Sequence, residues 1–430
     1  MQPSIKKYLA NYAEKESVTL AKSFADNTEK TWDYALTLPL CGEWEQIPPL
    51  LESIEKAAEF SGKKVLTIAL INGRDDHPPE IHYCNAKVAQ HLRSRTPRWV
   101  TFLPIEKKFL PKQGVGLARK LAADIAVALF GSGRIRCPII ATTDADARLP
   151  IDYFAKLSSA NPRPATYVFP FIHDVDKHHK ALIFYEIWLR YYTQGLRTSG
   201  SLYAYHCLGS TLAIHAEAYA MVRGFPDVLA AEDFYILNKL AKLGKIKTLN
   251  SFIHLSPRTS NRVPFGTGVG TQKIENLLER GERFRLYDPR VFDILKHLLL
   301  SFQQIGNAKR PSEVRELFLE RVPSRQRVGQ LFYERGIDEA LAIAFTTRKT
   351  SGERIRHMHT WFDAFQTLKW IHALRANIFP DIPWQEALQQ CSYLEINSTC
   401  HYEALMKLRL LDAAHYGILS DEHGPIRIET

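Results

Sequence analysis

The sequence predicts an α/β protein: a mostly parallel, nucleotide-binding sheet flanked by helices, followed by a mainly helical C-terminal region. Short β-rich runs alternate with helical patterns over the first 250 residues, which is typical of a parallel sheet covered by helices. From about Leu286 onward, apolar residues recur almost only at helical spacing. The length of 430 residues and the hydrophobic content of 45% are sufficient for two domains.

Strands and helices alternate in the first part of the chain. The predicted strands are WDYALTLPL (32–40), KKVLTIALIN (63–72), WVTFLPI (99–105), CPIIATT (137–143) and IKTLNSFI (246–253). The predicted helices between the first four strands are QIPPLLESIEKAAEF (46–60), EIHYCNAKVAQHLRSR (80–95) and GLARKLAADIAVALF (116–130). In this order of elements, ligands bind at the carboxyl ends of the strands.

The C-terminal region is predicted to consist of successive helices. They are VFDILKHLLLSF (291–302), EVRELFLERV (313–322), VGQLFYERG (328–336), IDEALAIAFTTR (337–348), HTWFDAFQTLKWIHALRA (359–376) and YEALMKLRLLDAAHYG (402–417). We therefore predict an N-terminal helical extension over residues 1–30, a sheet domain over 31–280 and a helical domain over 281–430.

Charge and cysteine usage exclude several classes of protein. The formal net charge is +10, and its positive excess lies in the first 280 residues, which suits an anionic ligand. Six scattered cysteines without a C-x-x-C pair argue against a zinc site and a disulfide framework.

The longest stretch without Asp, Glu, Lys or Arg, residues 198–216, contains glycine, serine and two histidines, so no transmembrane helix is expected. The charged N-terminus does not resemble a signal peptide, and we expect a cytoplasmic protein.

An aspartate pair follows the strand at residues 137–143. Side chains at i and i+2 of an extended segment point the same way, so Asp144 and Asp146 are placed to face one hard cation. A second Asp-x-Asp, formed by Asp174 and Asp176, lies among histidines and a lysine. We expect that second pair to occupy an exposed loop and not to bind metal.

The stretch DADARLPIDYFAKL resembles the metal-binding segment of GT-A fold glycosyltransferases of the family-2 type. The resemblance extends over about residues 30–270 and implies a hexosyltransferase-like enzyme with a nucleotide-sugar donor. In that family the aspartate pair holds a divalent metal, Mn²⁺ or Mg²⁺, on the donor diphosphate, where it neutralises the leaving group. By resemblance, Asp146 is the main metal ligand here and Asp144 lies beside it.

Two further segments resemble the base-binding part of that family. TLPLCGEWEQIPPLLESI matches its opening strand and loop, which makes Pro39, Cys41 and Glu43 candidates for contact with the base. Gly42 stands where the family usually has asparagine. ALINGRDD matches the second strand, where Asn72 occupies the position of a base-binding acidic residue.

The segment KQGVGLARKLAADIA resembles a glycine-containing turn that leads into a helix. Gly114 and Gly116 are expected to permit a tight turn, and Arg119 at the helix start is expected to favour an anion of the donor. The alternative is a plain loop-to-helix junction with Arg119 in solvent. Lys120 and Asp124 are spaced to brace the helix surface.

The third match, LGSTLAIHAEAYAMVRGFPDVLAAEDFYILNKLAKLGKI, ends in an acidic pair that opens a helix. Taken alone, Glu232 and Asp233 are explained by the favourable position of negative charge at a helix N-terminus. The resemblance implies a catalytic pair in which Asp233 is the general base of an inverting transfer.

The residues after the strand at 246–253 complete the predicted site. In many GT-A enzymes a histidine here joins the metal ligands, which makes His254 a candidate ligand, although a structural histidine is the alternative. Arg258 and Arg262 are expected to close over the diphosphate, the alternative being exposed loop arginines.

The sequence disfavours three other functions. A sugar-phosphate nucleotidyltransferase needs a glycine-rich loop after the first strand, and LPLCGEWEQ lacks one. A phosphatase of the haloacid type needs its aspartate pair after the first strand. An inactive or nucleic-acid-binding module needs aromatic residues interleaved with basic ones, and no such ribbon stands out. We expect a glycan, lipid or small-molecule acceptor and no nucleic acid, and leave peripheral membrane contact open.

Overall fold

The computed structural model describes residues 1–159, 165–258, 266–394 and 396–418. Its strands are β1 (Tyr34–Leu40), β2 (Val65–Arg74), β3 (Val100–Phe109), β4 (Ile139–Thr142), β5 (Ala147–Arg148), β6 (Thr166–Val168), β7 (Phe171–His173), β8 (Leu212–His215), β9 (Ile246–Thr248), β10 (Ile253–Leu255), β11 (Arg285–Leu286) and β12 (Ile382–Pro383). Seven of them form one sheet in the order β3-β2-β1-β4-β8-β6-β9. Only β8 runs antiparallel to both of its neighbours, so the prediction of a mostly parallel sheet is confirmed.

Helices flank this sheet and make up most of the chain that follows it. They are α1 (Pro3–Asn11), α2 (Lys15–Asp26), α3 (Ile47–Ser61), α4 (Pro79–Ser94), α5 (Val115–Gly131), α6 (Tyr153–Ser158), α7 (Lys180–Thr198), α8 (Ala216–Met221), α9 (Glu232–Leu240), α10 (Thr267–Glu279), α11 (Arg290–Gln303), α12 (Pro311–Leu319), α13 (Arg325–Glu334), α14 (Ile337–Thr347), α15 (Ser351–Trp361), α16 (Ala364–Asn377), α17 (Trp384–Gln390) and α18 (His401–Tyr416). The predicted fold class, including the mainly helical C-terminal region, is confirmed. None of the described helices is both long enough and apolar enough to span a bilayer.

The central strands form where the sequence has continuous apolar runs. All seven residues of β1 are buried, and so are the first eight of β2, as expected for parallel strands covered on both faces. The register pairs Tyr34 with Val65 and Ala35 with Ile140. The carboxyl ends of β1, β2 and β4 therefore lie at one edge of the sheet.

The predicted strand at residues 246–253 is wrong as a single element. β9 pairs with β6 in the large sheet, whereas β10 pairs with β5 and β7 in a separate three-stranded sheet. Between them the chain turns, and the Ser251 hydroxyl donates to Asp152 Oδ1 at 2.6 Å. The bend moves the residues after β10 towards the loop that follows β4.

The predicted helix at residues 359–376 is also divided. α15 ends at Trp361, and α16 begins after Asp363, whose carboxylate accepts hydrogen bonds from the backbone N–H groups of Phe365 (3.0 Å) and Gln366 (3.1 Å). An aspartate in this role caps a helix N-terminus. The apolar spacing continued across the break, so periodicity alone did not reveal it.

The first helices pack on α5 through a buried ionic network. Asp124 is fully buried and accepts hydrogen bonds from the hydroxyls of Tyr8 (2.6 Å) and Tyr219 (2.9 Å), from the Glu14 backbone N–H (2.8 Å) and from Lys120 Nζ (2.8 Å). The pair expected from spacing is present. The expectation that it braces an exposed helix surface is wrong, because α1, α8 and Glu14, the residue before α2, supply its other partners.

The chain divides into two compact units. The first contains Met1–Leu182, His206–Gln272 and the described residues from Leu411 onward, and the second contains Ile183–Tyr205 and Lys273–Leu410. Every described residue of the predicted site belongs to the first unit. The domain limits inferred from sequence, 1–30, 31–280 and 281–430, stay predictions.

Candidate active site

The aspartate pair lies at the carboxyl edge of the sheet. β4 ends at Thr142, and the Thr143 N–H still donates to the Thr37 carbonyl at 3.0 Å, so the chain leaves the sheet just before the pair. The Asp146 carbonyl accepts from the Ser256 N–H at 2.8 Å, which ties this loop to the segment after β10. Both carboxylates remain partly accessible, Asp144 at 30% and Asp146 at 32%.

Arg119, at the beginning of the second turn of α5, contacts both acidic pairs of the site. Its Nε donates to Glu232 Oε1 at 2.6 Å and its Nη2 to Asp144 Oδ1 at 2.5 Å. Its Nη1 donates to Thr142 Oγ1 at 2.8 Å and to the Gly209 carbonyl at 3.1 Å. The residue is only 2% exposed, so the alternative of an arginine in solvent is excluded. Arg119 joins the two acidic pairs that the sequence placed almost 90 residues apart.

The second acidic pair opens α9. Glu232 is buried against Arg119, and Asp233 Oδ1 accepts from the Phe234 backbone N–H at 2.7 Å. The preceding Ala231 has a left-handed backbone with a φ of 65°, a conformation that costs free energy in residues other than glycine. A strained turn therefore presents the pair to the sheet edge.

Burial, together with neighbouring carboxylates, raises the pKa values of two acids at this edge. Burial raises the pKa of Asp233 to about 7, and the neighbouring Glu232 carboxylate adds to the increase. Burial likewise raises the pKa of Asp144 to about 6, against the lowering effect of Arg119. A carboxylate whose pKa lies near neutrality is suited to accept a proton in a reaction.

A second arginine lies on the other side of the aspartate pair. Arg258 forms an ion pair with Glu43, and its Nε is 3.7 Å from Asp146 Oδ2. Burial and Glu43 raise the pKa of Asp146, and Arg258 lowers it. Glu43 Oε2 also accepts from the Cys41 N–H at 3.2 Å. Arg262, the other predicted lid residue, lies outside the described residues.

The predicted base-binding residues gather around the ends of β1 and β2. Pro39 is buried in β1, and Cys41 follows it. Asn85 on α4 joins the two strand ends, because its side chain accepts from the Gly42 N–H at 2.8 Å and donates to the Asn72 carbonyl at 2.9 Å. Their contact with a base stays a prediction.

The glycines before α5 serve close packing. Gly114 has an extended backbone with a φ of −146°, so the expectation that it permits a tight turn is wrong. A Cβ at Gly114 would lie 2.9 Å from the Leu229 carbonyl, and one at Gly116 would lie 2.5 Å from the Val228 carbonyl. The absence of side chains allows the loop before Glu232 to lie against the start of α5.

The predicted metal histidine pairs with the second Asp-x-Asp. His254 Nδ1 lies 2.7 Å from Asp174 Oδ1, and both side chains are partly exposed. Another histidine, His173 on β7, is buried, and its partner in the sheet, Leu255, pairs in turn with Ala147, next to Asp146. Among the described residues, no group of three or more His, Cys, Asp and Glu side chains is arranged to hold a metal ion.

Sequence reasoning missed several residues of this edge. Thr142 and Gly209 receive hydrogen bonds from Arg119, Asn85 joins two strand ends, and His173 lies near Asp146. The position of Thr142 at the end of an apolar strand was an available signal. Nothing local distinguishes the other three from ordinary loop, helix and core residues.

Comparison with known proteins gives glycosyltransferase structures. No family model and no curated protein matches the chain. Structures that match include a mannosyltransferase from Pyrobaculum calidifontis in complex with GDP-Man and Mn²⁺ (14% identity, 85% of this chain, 98% of that chain, TM-score 0.31). The galactosyltransferase LgtC, with donor and acceptor sugar analogues, matches with 13% identity over 57% of this chain and 95% of its own (TM-score 0.29). Glucosyl-3-phosphoglycerate synthase from M. tuberculosis matches with 16% identity over 63% and 88% (TM-score 0.30).

Proposed function

We propose that this chain is a metal-dependent glycosyltransferase of the family-2 type, which moves a sugar from a nucleotide-sugar donor to an acceptor hydroxyl with inversion. One observation carries the proposal: two acidic pairs from distant segments meet at the carboxyl edge of a parallel sheet through the buried Arg119. Ligands of such sheets bind at this edge. The resemblance of both segments to the same family supports the same assignment.

The charges at this edge fit a divalent cation that is shared with a donor. Among the described residues, three arginines, Arg119, Arg148 and Arg258, lie beside five carboxylates, namely Glu43, Asp144, Asp146, Glu232 and Asp233. The excess of negative charge favours a cation, and carboxylate oxygens are the ligands that Mn²⁺ and Mg²⁺ prefer. A magnesium-like ion commonly uses one or two carboxylates and takes its remaining ligands from phosphates and water. Asp146 fits that description.

We assign the binding of the donor phosphate and the removal of the acceptor proton to two different side chains. When bound, the cation would neutralise charge on the departing nucleoside diphosphate. Arg258 Nε makes no hydrogen bond within the described part of the chain, and we assign it to a donor phosphate oxygen. Asp233, with its raised pKa, takes the proton from the attacking hydroxyl on the acceptor side.

Titration calorimetry on the full chain tests the proposal. UDP, GDP, UDP-glucose and GDP-mannose are each titrated with and without Mn²⁺, and at least one should bind only with the metal. Asp146→Ala should abolish that metal-dependent binding, because it removes the main oxygen ligand. Asp174→Ala is the matched control, since it removes the equivalent residue of the second Asp-x-Asp and should leave binding unchanged.

Two results would contradict the proposal. One is unchanged metal-dependent binding in Asp146→Ala. The other is salt-sensitive binding of nucleic acid by a wild-type chain that binds none of the four nucleotides, which would favour an anion-binding module.

A further inference from the structure

Arg119 makes more hydrogen bonds than a salt bridge with one acid requires. Its guanidinium reaches four acceptors on three separate segments: Glu232 at the start of α9, the Gly209 carbonyl before β8, and Thr142 and Asp144 at and just after the end of β4. The planar fork of an arginine can satisfy such a set, whereas the single ammonium of a lysine cannot. The contacts orient the two acidic pairs relative to each other.

The surrounding backbone is adapted to this side chain. A Cβ at Gly209 would lie 2.2 Å from Arg119 Nη2, so any residue other than glycine would displace the guanidinium. The glycine also brings its own carbonyl within 3.1 Å of Nη1. The three side-chain acceptors and the close approach of the Gly209 backbone indicate that the surroundings of Arg119 are specific for a guanidinium.

The contacts are not shared equally within each acidic pair. Arg119 binds the first member of each, Asp144 and Glu232, by short hydrogen bonds. The second members, Asp146 and Asp233, receive no hydrogen bond from it within the described part of the chain. An oxygen that accepts a hydrogen bond from a guanidinium is a poorer ligand for a cation and a poorer base than one that does not. Asp146 Oδ2 lies 3.7 Å from Arg258 Nε, which is beyond hydrogen-bonding distance, and Asp233 Oδ1 accepts from a neutral donor, the Phe234 N–H.

We infer that Arg119 is a positioning residue which anchors Asp144 and Glu232 and thereby leaves Asp146 to hold the cation and Asp233 to take the proton. The inference rests on the proposed function and refines the site residues predicted from the sequence. Asp144 then contributes to the site through Arg119 and not as an equal metal ligand.

The first experiment compares the two aspartates of the first pair. Titration calorimetry measures the affinity of the full chain for Mn²⁺ together with the best-binding nucleoside diphosphate. Asp146→Asn should weaken metal-dependent binding at least tenfold, whereas Asp144→Asn should change it less than threefold. Equal losses in the two variants would overturn the inference.

The second experiment tests whether Arg119 acts through Glu232. Arg119→Met leaves Glu232 charged and without its partner, and should lower kcat at least tenfold with a smaller change in KM. The double variant Arg119→Met, Glu232→Gln removes both charges and should recover at least threefold of that loss. Losses that simply multiply in the double variant would overturn the inference.

The pH profile gives a readout that a merely structural role would not move. Asp233 is faced by Glu232, Arg119, Asp144 and the Cys207 thiol, and Arg119 is the cation among them that lowers its pKa. Arg119→Met should therefore move the acid limb of kcat to higher pH, and an unmoved limb would contradict the inference. A wild-type chain that binds no nucleoside diphosphate refutes the proposed function, whereas wild-type binding with equal losses in Asp144→Asn and Asp146→Asn refutes this inference alone.

Discussion

Helix α5 carries two buried ionic clusters on adjacent residues. The cluster around Lys120 and Asp124 is closed, because each oxygen of the buried Asp124 carboxylate accepts two hydrogen bonds. The Lys120 ammonium pairs with Asp124 and, at 3.6 Å, with the partly exposed Glu14 carboxylate. The cluster around Arg119 is open, because Asp144 is partly accessible and the nearby carboxylates outnumber the arginines. A buried carboxylate whose two oxygens are both fully hydrogen-bonded has no position left for a ligand, whereas an open cluster with an excess of carboxylates has capacity for a cation.

The difference also appears in how the acids titrate. Burial and neighbouring carboxylates raise the pKa values of Asp144 and Asp233 towards neutrality. In the other cluster, it is the phenols of Tyr8 and Tyr219 whose pKa values are raised, by burial and by Asp124, so these groups stay neutral. We therefore expect the first cluster to determine activity and the second to determine stability.

The largest expected effect is on stability. Asp124→Ala leaves Lys120 and two phenols without their shared acceptor in the core, which should lower the free energy of unfolding by about 3–5 kcal/mol. Urea denaturation measures the loss, and turnover per folded molecule should not change. Glu52→Ala, which removes an exposed pair with Lys56, is the control and should leave stability nearly unchanged. An Asp124→Ala protein with the wild-type free energy of unfolding would contradict the assignment of this cluster to stability.

The next effect is on turnover. Asp233→Asn keeps the shape of the side chain and removes its basicity, so kcat should fall about a hundredfold or more while donor affinity stays nearly the same. Stability should be maintained, because an amide replaces a carboxylate that is costly to ionise in this environment. Normal turnover, or a product that retains the anomeric configuration of the donor, would refute Asp233 as the base, and Glu232 would be tested next.

The smallest effect is the pH dependence of the wild-type enzyme. A general base must be ionised, and the pKa of Asp233 is raised to about 7 by burial and by Glu232. Turnover should therefore be lost as the pH falls through 7, to about one tenth of its plateau at pH 6. A kcat profile between pH 5 and 9 measures this limb, and a flat profile down to pH 5 would contradict the assignment.

The sequence predicted what depends on local pattern. Continuous apolar runs located β1 to β4, and the aspartates after β4 lie at the sheet edge because the side chains follow directly from a buried strand. Each acidic pair was identified from the sequence, but the hydrogen bonds that join both pairs to Arg119 were not. Arg119 is separated from Glu232 by 113 residues and from Gly209 by 90, and no periodicity encodes a partner at that distance.

The burial of the charged residues of α5 could not be predicted from the sequence for a different reason. Nearly all of its residues are buried, so it has no polar face that would indicate which residues lie outside. The sequence therefore predicted that Lys120 and Asp124 form a surface pair, and it left open the alternative that Arg119 is exposed to solvent. The pairing of His254 with Asp174 escaped prediction because it depends on β7 and β10 lying side by side.

The hydrogen bonds of Asp124 also determine when the first helix can become ordered during synthesis. Its partners Tyr8 and Tyr219 lie 116 and 95 residues away from it along the chain, on opposite sides. At ribosomal rates of roughly 5–20 residues per second, the segment around Tyr219 is made on the order of 10–40 s after Tyr8. Until then the apolar face that carries Ile5 lacks its final cover, and the nascent chain is exposed to chaperones and aggregation over that interval.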